Sequence, residues 1–190
     1  ASFGYSLFSA RYGNIYTVAQ LLQLILRSLS KQKITNNIWK KDNRYYDAFR
    51  PNIEPLGFKN ENELVESRKF HLSSVKKLFS NMDILVFTLG LTEAWISKKD
   101  GTVYPIAPGI IAGKFDVNEY EFKNFSFNEI YEDFLKVRET IKKIRDSQKK
   151  PTKFIITVSP VPLTATASDK HVLVASTYSK SVLKAVAGEL

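Results

Sequence analysis

The chain has 190 residues, of which 44% are hydrophobic and 25% charged, as is typical of a globular protein of one domain. It has no apolar run near the roughly 20 residues that span a membrane. Without cysteine it has neither a disulfide framework nor a thiolate metal site. Its 28 Lys and Arg residues against 19 Asp and Glu give a net charge of +9, which is compatible with a polyanion partner.

The positive charges are spread along predicted helix faces and loops, and no nucleic-acid-binding motif accompanies them. Examples are Lys76, Lys77, Lys98, Lys99, Lys142, Lys143, Lys149 and Lys150. We therefore interpret them as solvated surface lysines and expect no nucleic-acid partner, since composition alone does not place them on one face. The absence of cysteine favours a reducing compartment, so we predict a cytoplasmic location.

Apolar periodicity and capping signals predict four helices and two strands. The helices are expected at 17–30, from 60 to the strand at 83, at 127–146 and from about 169 towards 188, and the strands at 83–89 and 153–159. Thr17 and Gln20 have the spacing of a capping box. Ser126 and Glu129 repeat that spacing, and Asn60 is a predicted N-cap.

Strand 83–89, helix 127–146 and strand 153–159 form a predicted βαβ unit with parallel strands. Two such strands cannot cover both of their faces, so we expect further strands or a chain that lacks some of them. Two long stretches, 38–58 and 90–125, show no clear periodicity and are rich in aromatic residues. We expect them to form ordered, irregular walls of a cleft.

The segment "DILVFTLGLTEAW" combines a strand with a polar end. Its apolar run, 84–89, predicts a strand that is buried on both faces. Gly90, Thr92 and Glu93 follow at the carboxyl end, where open α/β sheets bind their ligands. An alternative interpretation is that Thr92 caps a short helix and Glu93 lies in its first turn.

The second strand leads into "TVSPVPLTAT", in which Ser159 precedes two prolines that stiffen the loop. This loop is either part of a site or simply a rigid strand exit. His171 lies near the start of the last helix, at the same predicted sheet edge as Gly90, and has either a structural or a site role. No HExxH, GxGxxG, GxxxxGK[ST] or GxSxG pattern occurs, so we expect no cofactor and no metal.

Five segments in this order resemble the bacterial GSCFA-domain family, whose fold is similar to that of the SGNH/GDSL hydrolases. They are "SLFSARYGNIYTVAQLLQLI", "YDAFRP", "TLGLTEAW", "YPIAPG" and "VSPVPLTATASDKHVLVASTYSKSVLKAVAGEL". The resemblance implies a truncated three-layer α/β/α domain with a parallel sheet of flavodoxin-like winding. It also implies a single GSCFA domain over residues 1–190 that is incomplete at both ends.

The resemblance further implies that the nucleophile and the base lie outside this chain. The family's Gly-Ser-Cys-Phe-Ala segment is expected upstream of Ala1, and its Asp-x-x-His downstream of Leu190. Asp169 and His171 do not replace that pair, because only one residue separates them. The chain is therefore interpreted as an internal fragment, inactive by itself, with apolar residues exposed along one sheet edge.

The supporting half of an SGNH-type site is what the resemblance implies for this chain. Gly90, Thr92 and Glu93 are expected to support the oxyanion and the catalytic centre, although Thr92 stands where the family has an amide side chain. Ser176 likewise stands where an asparagine is expected. The substrate-binding residues are expected to be Gly13, Asn14, Trp95, Tyr104, Ser159, His171 and Lys180.

These features lead to three hypotheses about function. The first is an SGNH-type hydrolase that acts on an ester or acyl group of a small molecule or an acylated glycan. The alternative is a non-catalytic or transferase role in surface polysaccharide biosynthesis, because fold does not fix function. A polyanion-binding module is the third hypothesis, and steep salt dependence of binding would identify it. If Glu93 is a site residue, we expect it to be at least half buried and bonded near Gly13–Asn14 or His171.

Overall fold

The computed structural model describes residues 11–32, 37–146 and 151–190, and within them it contains four α-helices and seven β-strands. The helices are α1 (Val18–Ser28), α2 (Glu61–Asn81), α3 (Phe127–Asp146) and α4 (Val172–Glu189). The strands are β1 (Ile38–Lys41), β2 (Arg44–Asp47), β3 (Ile84–Leu89), β4 (Glu93–Ser97), β5 (Val103–Tyr104), β6 (Tyr120–Asn124) and β7 (Lys153–Val158). Lys149, Lys150 and the first part of the "SLFSARYG" motif lie outside the described residues.

The four predicted helices are confirmed, and side chains satisfy the free backbone groups at their starts. At α1, Thr17 Oγ1 accepts a bond from the Gln20 amide at 3.2 Å, and Gln20 Oε1 accepts one from the Thr17 amide at 3.0 Å. The same reciprocal pair forms between Ser126 and Glu129 before α3. The last helix begins later than expected, at Val172.

β3 and β7 are parallel over their full length, from Ile84 beside Lys153 to Leu89 beside Val158. With α3 between them in sequence they form the predicted βαβ unit. The α/β class with a parallel sheet is therefore confirmed.

One face of this parallel pair packs against helices. Phe87 and Leu89 of β3 are buried in a cluster with residues from all four helices, which we call the helix–sheet core. Its fully enclosed members include Ile25 of α1, Val75 of α2 and Phe134 of α3. The aliphatic positions that recur at helical spacing in the sequence supply most of this core.

The opposite face of the parallel pair is exposed, so the prediction that β3 is buried on both faces is wrong. Ile84, Val86 and Ile155 are 50%, 60% and 49% exposed, and they point to the same side because side chains alternate along a strand. Exposed apolar residues were expected along a sheet edge, and they lie instead on a sheet face. A helical layer over this face stays a prediction.

The two stretches that we predicted to be irregular contain five strands, which corrects that prediction. β1 and β2 form an antiparallel hairpin whose two connecting residues, Asp42 and Asn43, have positive φ angles of 47° and 58°. Such a two-residue loop matches the twist of the paired strands. Within 90–125, β4 is the central strand of an antiparallel sheet with the order β5-β4-β6.

A second group of buried residues, the aromatic core, packs between the hairpin and this antiparallel sheet. Its members are Trp39, Tyr46, Ala48, Phe49, Tyr104, Ala112 and Tyr120. β5 joins the two cores, because Val103 belongs to the helix–sheet core and Tyr104 to the aromatic core. The buried side chain of Gln23 fixes β5 to α1 by donating to the Val103 carbonyl and accepting from its amide, both at 2.9 Å.

Candidate functional site

A cleft of about 490 Å³ opens where β3 ends, and we call it the β3-exit cleft. This volume lies within the range of small-molecule sites, and the carboxyl ends of parallel strands are where open α/β sheets bind ligands. The cleft is lined by Tyr16, Gln20, Leu91, Glu93, Ala94, Trp95, Tyr104, Pro105, Ile106, Ala107, Ile110, Phe122, Leu163, Thr164, Ala165, Thr166 and Ala167.

The carboxyl ends of β3 and β7 lie side by side, as predicted. The Ser159 amide continues the ladder by donating to the Leu89 carbonyl at 2.9 Å. The residue of the amino-terminal segment that contacts the β3 exit is Tyr16, two positions after Asn14. The Gly90 amide donates to the Tyr16 carbonyl oxygen at 3.0 Å, and a Cβ atom on Gly90 would lie only 2.9 Å from that oxygen.

The backbone amides of the β3 exit are bonded within the protein. Those of Gly90 and Leu91 donate to Tyr16, and that of Thr92 donates to Ser179 Oγ at 3.1 Å. Thr92 is completely buried, and its hydroxyl has no hydrogen-bond partner among the described residues. In this arrangement Gly90 and Thr92 support the exit, and their role as oxyanion donors stays a prediction.

Glu93 is the first residue of β4, so the alternative in which it starts a short helix is wrong. Its carboxylate is partly buried and faces the β3-exit cleft. Glu93 Oε1 accepts a hydrogen bond from Thr166 Oγ1 at 2.8 Å, and that hydroxyl also pairs with Ser168 Oγ at 2.8 Å. The sequence predicts a partner for Glu93 near Gly13–Asn14 or His171, and the observed hydrogen-bond partner is instead Thr166.

Helix α4 holds the loops around the cleft. Lys180 Nζ donates to the Gly90 carbonyl at 2.7 Å, and burial lowers the pKa of this ammonium group. Ser179 holds Thr92, as described above. Ser176, where the resemblance implied an asparagine, accepts a bond from the Leu163 amide at 3.2 Å. One helix thus positions the exit of β3 and the loop after β7.

The aromatic residues of the cleft differ in exposure. Trp95 is partly exposed and packs edge-on against Phe115 and Phe122, with ring centroids 5.1 and 5.9 Å away. Tyr104 is only 1% exposed and stacks on Phe49 in the aromatic core. Trp95 is therefore the more accessible of the two to a ligand, whereas Tyr104 lines the cleft from the aromatic core, and its role as a substrate contact stays a prediction.

Ser159 and His171 do not line the β3-exit cleft, so the structure does not support their predicted substrate contacts. Ser159 Oγ accepts a bond from the Val161 amide at 3.2 Å and fixes its own loop. His171 is the N-cap of α4, and its Nδ1 accepts a bond from the Leu173 amide at 3.3 Å. Both residues have the structural roles that we had left open as alternatives.

Gly13 and Asn14 are not among the described residues that line the β3-exit cleft. Gly13 has a φ of +74° and packs against the backbone of Arg50, and Asn14 lines a second, narrower cleft together with Arg50. Both residues therefore lie near Arg50 of the "YDAFRP" stretch. The sequence-based expectation that Asn14 lies close to Gly90–Glu93 stays a prediction.

Sequence reasoning missed Tyr16 and Thr166, which both line the β3-exit cleft. The quoted motifs contain both, but neither residue type signals a site by itself. Within residues 11–32, 37–146 and 151–190, no group of His, Asp and Glu side chains is arranged to hold a metal ion. Over the same ranges, no helix has the length and apolar character needed to cross a membrane.

The fold and the cleft define an α/β protein with a pocket at the carboxyl edge of parallel strands. The sequence model of the GSCFA family matches residues 1–190, and the chain therefore belongs to the GSCFA family. No curated protein and no solved structure matches the chain significantly.

Proposed function

We propose that this chain forms the substrate-holding part of a hydrolase that acts on an ester or acyl group of a small molecule or an acylated glycan. The observation that carries the proposal is the β3-exit cleft, which combines a carboxylate, a hydroxyl and an accessible tryptophan at the carboxyl edge of the parallel strands. Membership of the GSCFA family supports the reaction class through that family's similarity to SGNH hydrolases.

The residues of the cleft have distinct proposed roles. Trp95 offers an aromatic face to the apolar part of a ligand or to a sugar ring. Glu93 and Thr166 form a polar pair that orients a hydroxyl or ester group, since a carboxylate can accept a second hydrogen bond. Lys180 holds the Gly90 carbonyl and positions the strand exit without contacting the ligand.

A non-catalytic or transferase role in surface polysaccharide biosynthesis is the second candidate. The observation that favours it is the bonding of the amides of residues 90–92 within the protein, which leaves them no free N–H group for an oxyanion. A hydrolase needs such donors, and each is worth about 3–4 kcal/mol of barrier when it is correctly aimed. Other donors would then have to come from residues that do not line this exit.

Turnover of p-nitrophenyl acetate by the natural full-length protein tests the proposal. We expect Trp95→Ala to lower kcat/KM at least about tenfold, because the side chain that binds the substrate is removed. Phe70→Ala is the matched control, since Phe70 is 77% exposed on α2 and does not line the cleft. The control should retain wild-type activity.

A Glu93→Gln variant separates binding from chemistry. It keeps an acceptor for Thr166 and removes the negative charge, so a mainly orienting role predicts a raised KM with a smaller change in kcat. Absence of turnover in the wild-type protein, combined with binding of an acylated sugar that depends on Trp95, would favour the second candidate. Equal turnover in wild type and Trp95→Ala would contradict the assignment of the cleft.

A further inference from the structure

The second cleft lies between α1 and the segment that follows β2, and we call it the arginine cleft. Its volume is about 30 Å³, which is room for one small polar group. It is lined by Tyr12, Asn14, Ile15, Gln20, Gln23, Leu24, Arg27, Phe49, Arg50, His71, Val103 and Pro105. This lining includes two arginines and no carboxylate.

The charges around the arginine cleft are not balanced. Among the described residues, Arg27, Arg50 and Arg68 all interact with one carboxylate, that of Asp47, which is 3% exposed. Three cations and one anion leave a surplus of two positive charges in a largely buried region. Buried charges in proteins are normally paired, because removing them from water is costly.

Asp47 accepts its hydrogen bonds from partners other than Arg27 among the described residues. Its two oxygens accept bonds from Arg50 Nε and Arg68 Nη2, both at 3.0 Å, and Oδ1 also accepts one from the Phe49 amide at 3.1 Å. Although burial alone would raise it, the pKa of Asp47 is held below its usual value by Arg68 and Arg50. This carboxylate therefore remains charged, and none of the hydrogen bonds that it accepts from the described residues comes from Arg27.

Within the described residues, Arg27 is the arginine of this group whose guanidinium has no hydrogen-bond acceptor. Its guanidinium carbon lies 3.6 Å from the centroid of the Phe49 ring, a cation–π contact, and the group has no hydrogen-bond acceptor among the described residues. Burial, with the charges of Arg68 and Arg50, lowers the pKa of Arg27 to about 10, so the group is still protonated at neutral pH.

Arg50 also has N–H groups that donate no hydrogen bond within the described residues. Its Nε bonds Asp47 and its Nη1 bonds the Arg11 carbonyl at 3.3 Å. Its Nη2 group donates to no residue in the described part of the chain. Two guanidinium groups with free N–H donors thus line one narrow cleft, and such forks suit the planar or tetrahedral oxygens of carboxylates and phosphates.

We propose that the arginine cleft binds a single oxyanion of the carboxylate or phosphate type, held by Arg27 and Arg50. The site does not depend on the hydrolase assignment. Gln20 and Pro105 line both this cleft and the β3-exit cleft, so the two spaces adjoin. The oxyanion is therefore either a free ion or the acidic group of a ligand that occupies the β3-exit cleft.

Calorimetric titration with inorganic phosphate and with acetate, at an ionic strength fixed by chloride, tests the site. We expect wild-type protein to bind at least one of these anions, and Arg27→Met to weaken binding at least about tenfold through the loss of charged hydrogen bonds. Arg138→Met is the matched control, because it removes the same charge from the exposed surface of α3, outside the cleft. It should leave the dissociation constant unchanged.

Arg27→Lys provides a second variant that preserves the charge. It keeps the electrostatic attraction but loses the guanidinium fork, so we expect weaker binding than in the wild type and stronger binding than in Arg27→Met. Circular dichroism checks that each variant is folded. If Arg27→Met does not fold, the anion affinity of Arg27→Lys tests the proposal instead. Binding of neither anion, or equal affinity in the wild type and in the folded Arg27 variants, would overturn the proposal.

Sugar ligands distinguish the two sources of the anion. Glucose 6-phosphate that binds at least about tenfold more tightly than both glucose and inorganic phosphate would identify the oxyanion as part of a larger ligand. Inorganic phosphate that binds as tightly as the sugar phosphate would identify a free ion. Either result, combined with dependence on Arg27, supports the site.

Discussion

The helix–sheet core and the aromatic core are built in different ways. The first consists mainly of aliphatic residues from α1, α2, α3, α4 and the parallel strands. The second consists of aromatic rings from the β1–β2 hairpin and the antiparallel sheet, and an ion-pair network around Asp47 lies directly beside Phe49.

The two cores differ in composition because helices and antiparallel strands depend on different interactions. Helices make their own backbone hydrogen bonds, so only an apolar stripe has to be buried. The antiparallel strands are short and depend on pairing between distant segments and on large rings that fill the space between them. We therefore expect the helix–sheet core to respond to loss of volume, and the aromatic core to respond also to loss of charge and to backbone changes.

Removal of a large ring from the helix–sheet core should have the largest effect. Phe134 of α3 is fully buried, and we expect Phe134→Ala to lower the free energy of unfolding by about 3–5 kcal/mol. The neighbouring Leu135 is 38% exposed, and Leu135→Ala is the control, with a much smaller effect. Urea denaturation followed by circular dichroism measures both. Similar losses in the two variants would mean that Phe134 does not occupy this core.

Removal of the charge beside the aromatic core should be nearly as costly. Asp47→Asn leaves Arg50 and Arg68 without their buried anion. We expect this variant to lower the free energy of unfolding by about 3 kcal/mol at neutral pH. Glu66→Gln, which breaks an exposed pair with Lys69, is the control and should change stability little.

The pH dependence gives an independent check on Asp47. Since its pKa is lowered in the folded state, its stabilising effect is complete above the unfolded pKa of about 4 and is lost as the pH falls through the folded value. The difference in stability between wild type and Asp47→Asn should therefore shrink in strong acid. A difference that does not change with pH would argue against a charged Asp47 in this network.

Backbone substitutions should separate packing from conformation in the aromatic region. Gly113 and Gly101 both have positive φ angles, +78° and +68°, but a Cβ on Gly113 would lie 2.9 Å from the Trp39 ring while one on Gly101 would contact nothing within 4 Å. We expect Gly101→Ala to lower the free energy of unfolding by about 1 kcal/mol. Gly113→Ala should lower it by about 1–2 kcal/mol more. Thermal unfolding measures the pair, and equal costs would show that Trp39 yields without strain.

Loss of a helix cap should have the smallest effect. Ser126→Ala removes the acceptor for the Glu129 amide at the start of α3, and we expect a loss of about 1 kcal/mol. Ser74→Ala on α2 is the control, because this serine only donates to the Phe70 carbonyl within its own helix and alanine favours helix. A control variant that is as destabilised as Ser126→Ala would exclude capping as the cause.

The sequence by itself determined the helices, the parallel strand pair and the sheet edge at which the β3-exit cleft opens. These elements carry local signals, such as the capping boxes of Thr17 and Ser126 and the apolar runs of β3 and β7, which do not depend on distant residues. Asp42 and Asn43 also carry a local signal for the β1–β2 hairpin, because Asp and Asn are favoured in two-residue turns with positive φ angles. The family resemblance likewise rested on residues that can be compared without a structure.

Only the tertiary structure decided which residues share a cleft. Thr166 contacts Glu93 from 73 positions along the chain, and Lys180 reaches Gly90 from 90 positions away, so no local pattern indicates either pair. The contact of Tyr16 with the β3 exit, and the surplus of arginines around Asp47, likewise depend on how distant segments pack together. Local chemistry fixes an element, whereas a site depends on long-range packing, which a single sequence does not encode in any one segment.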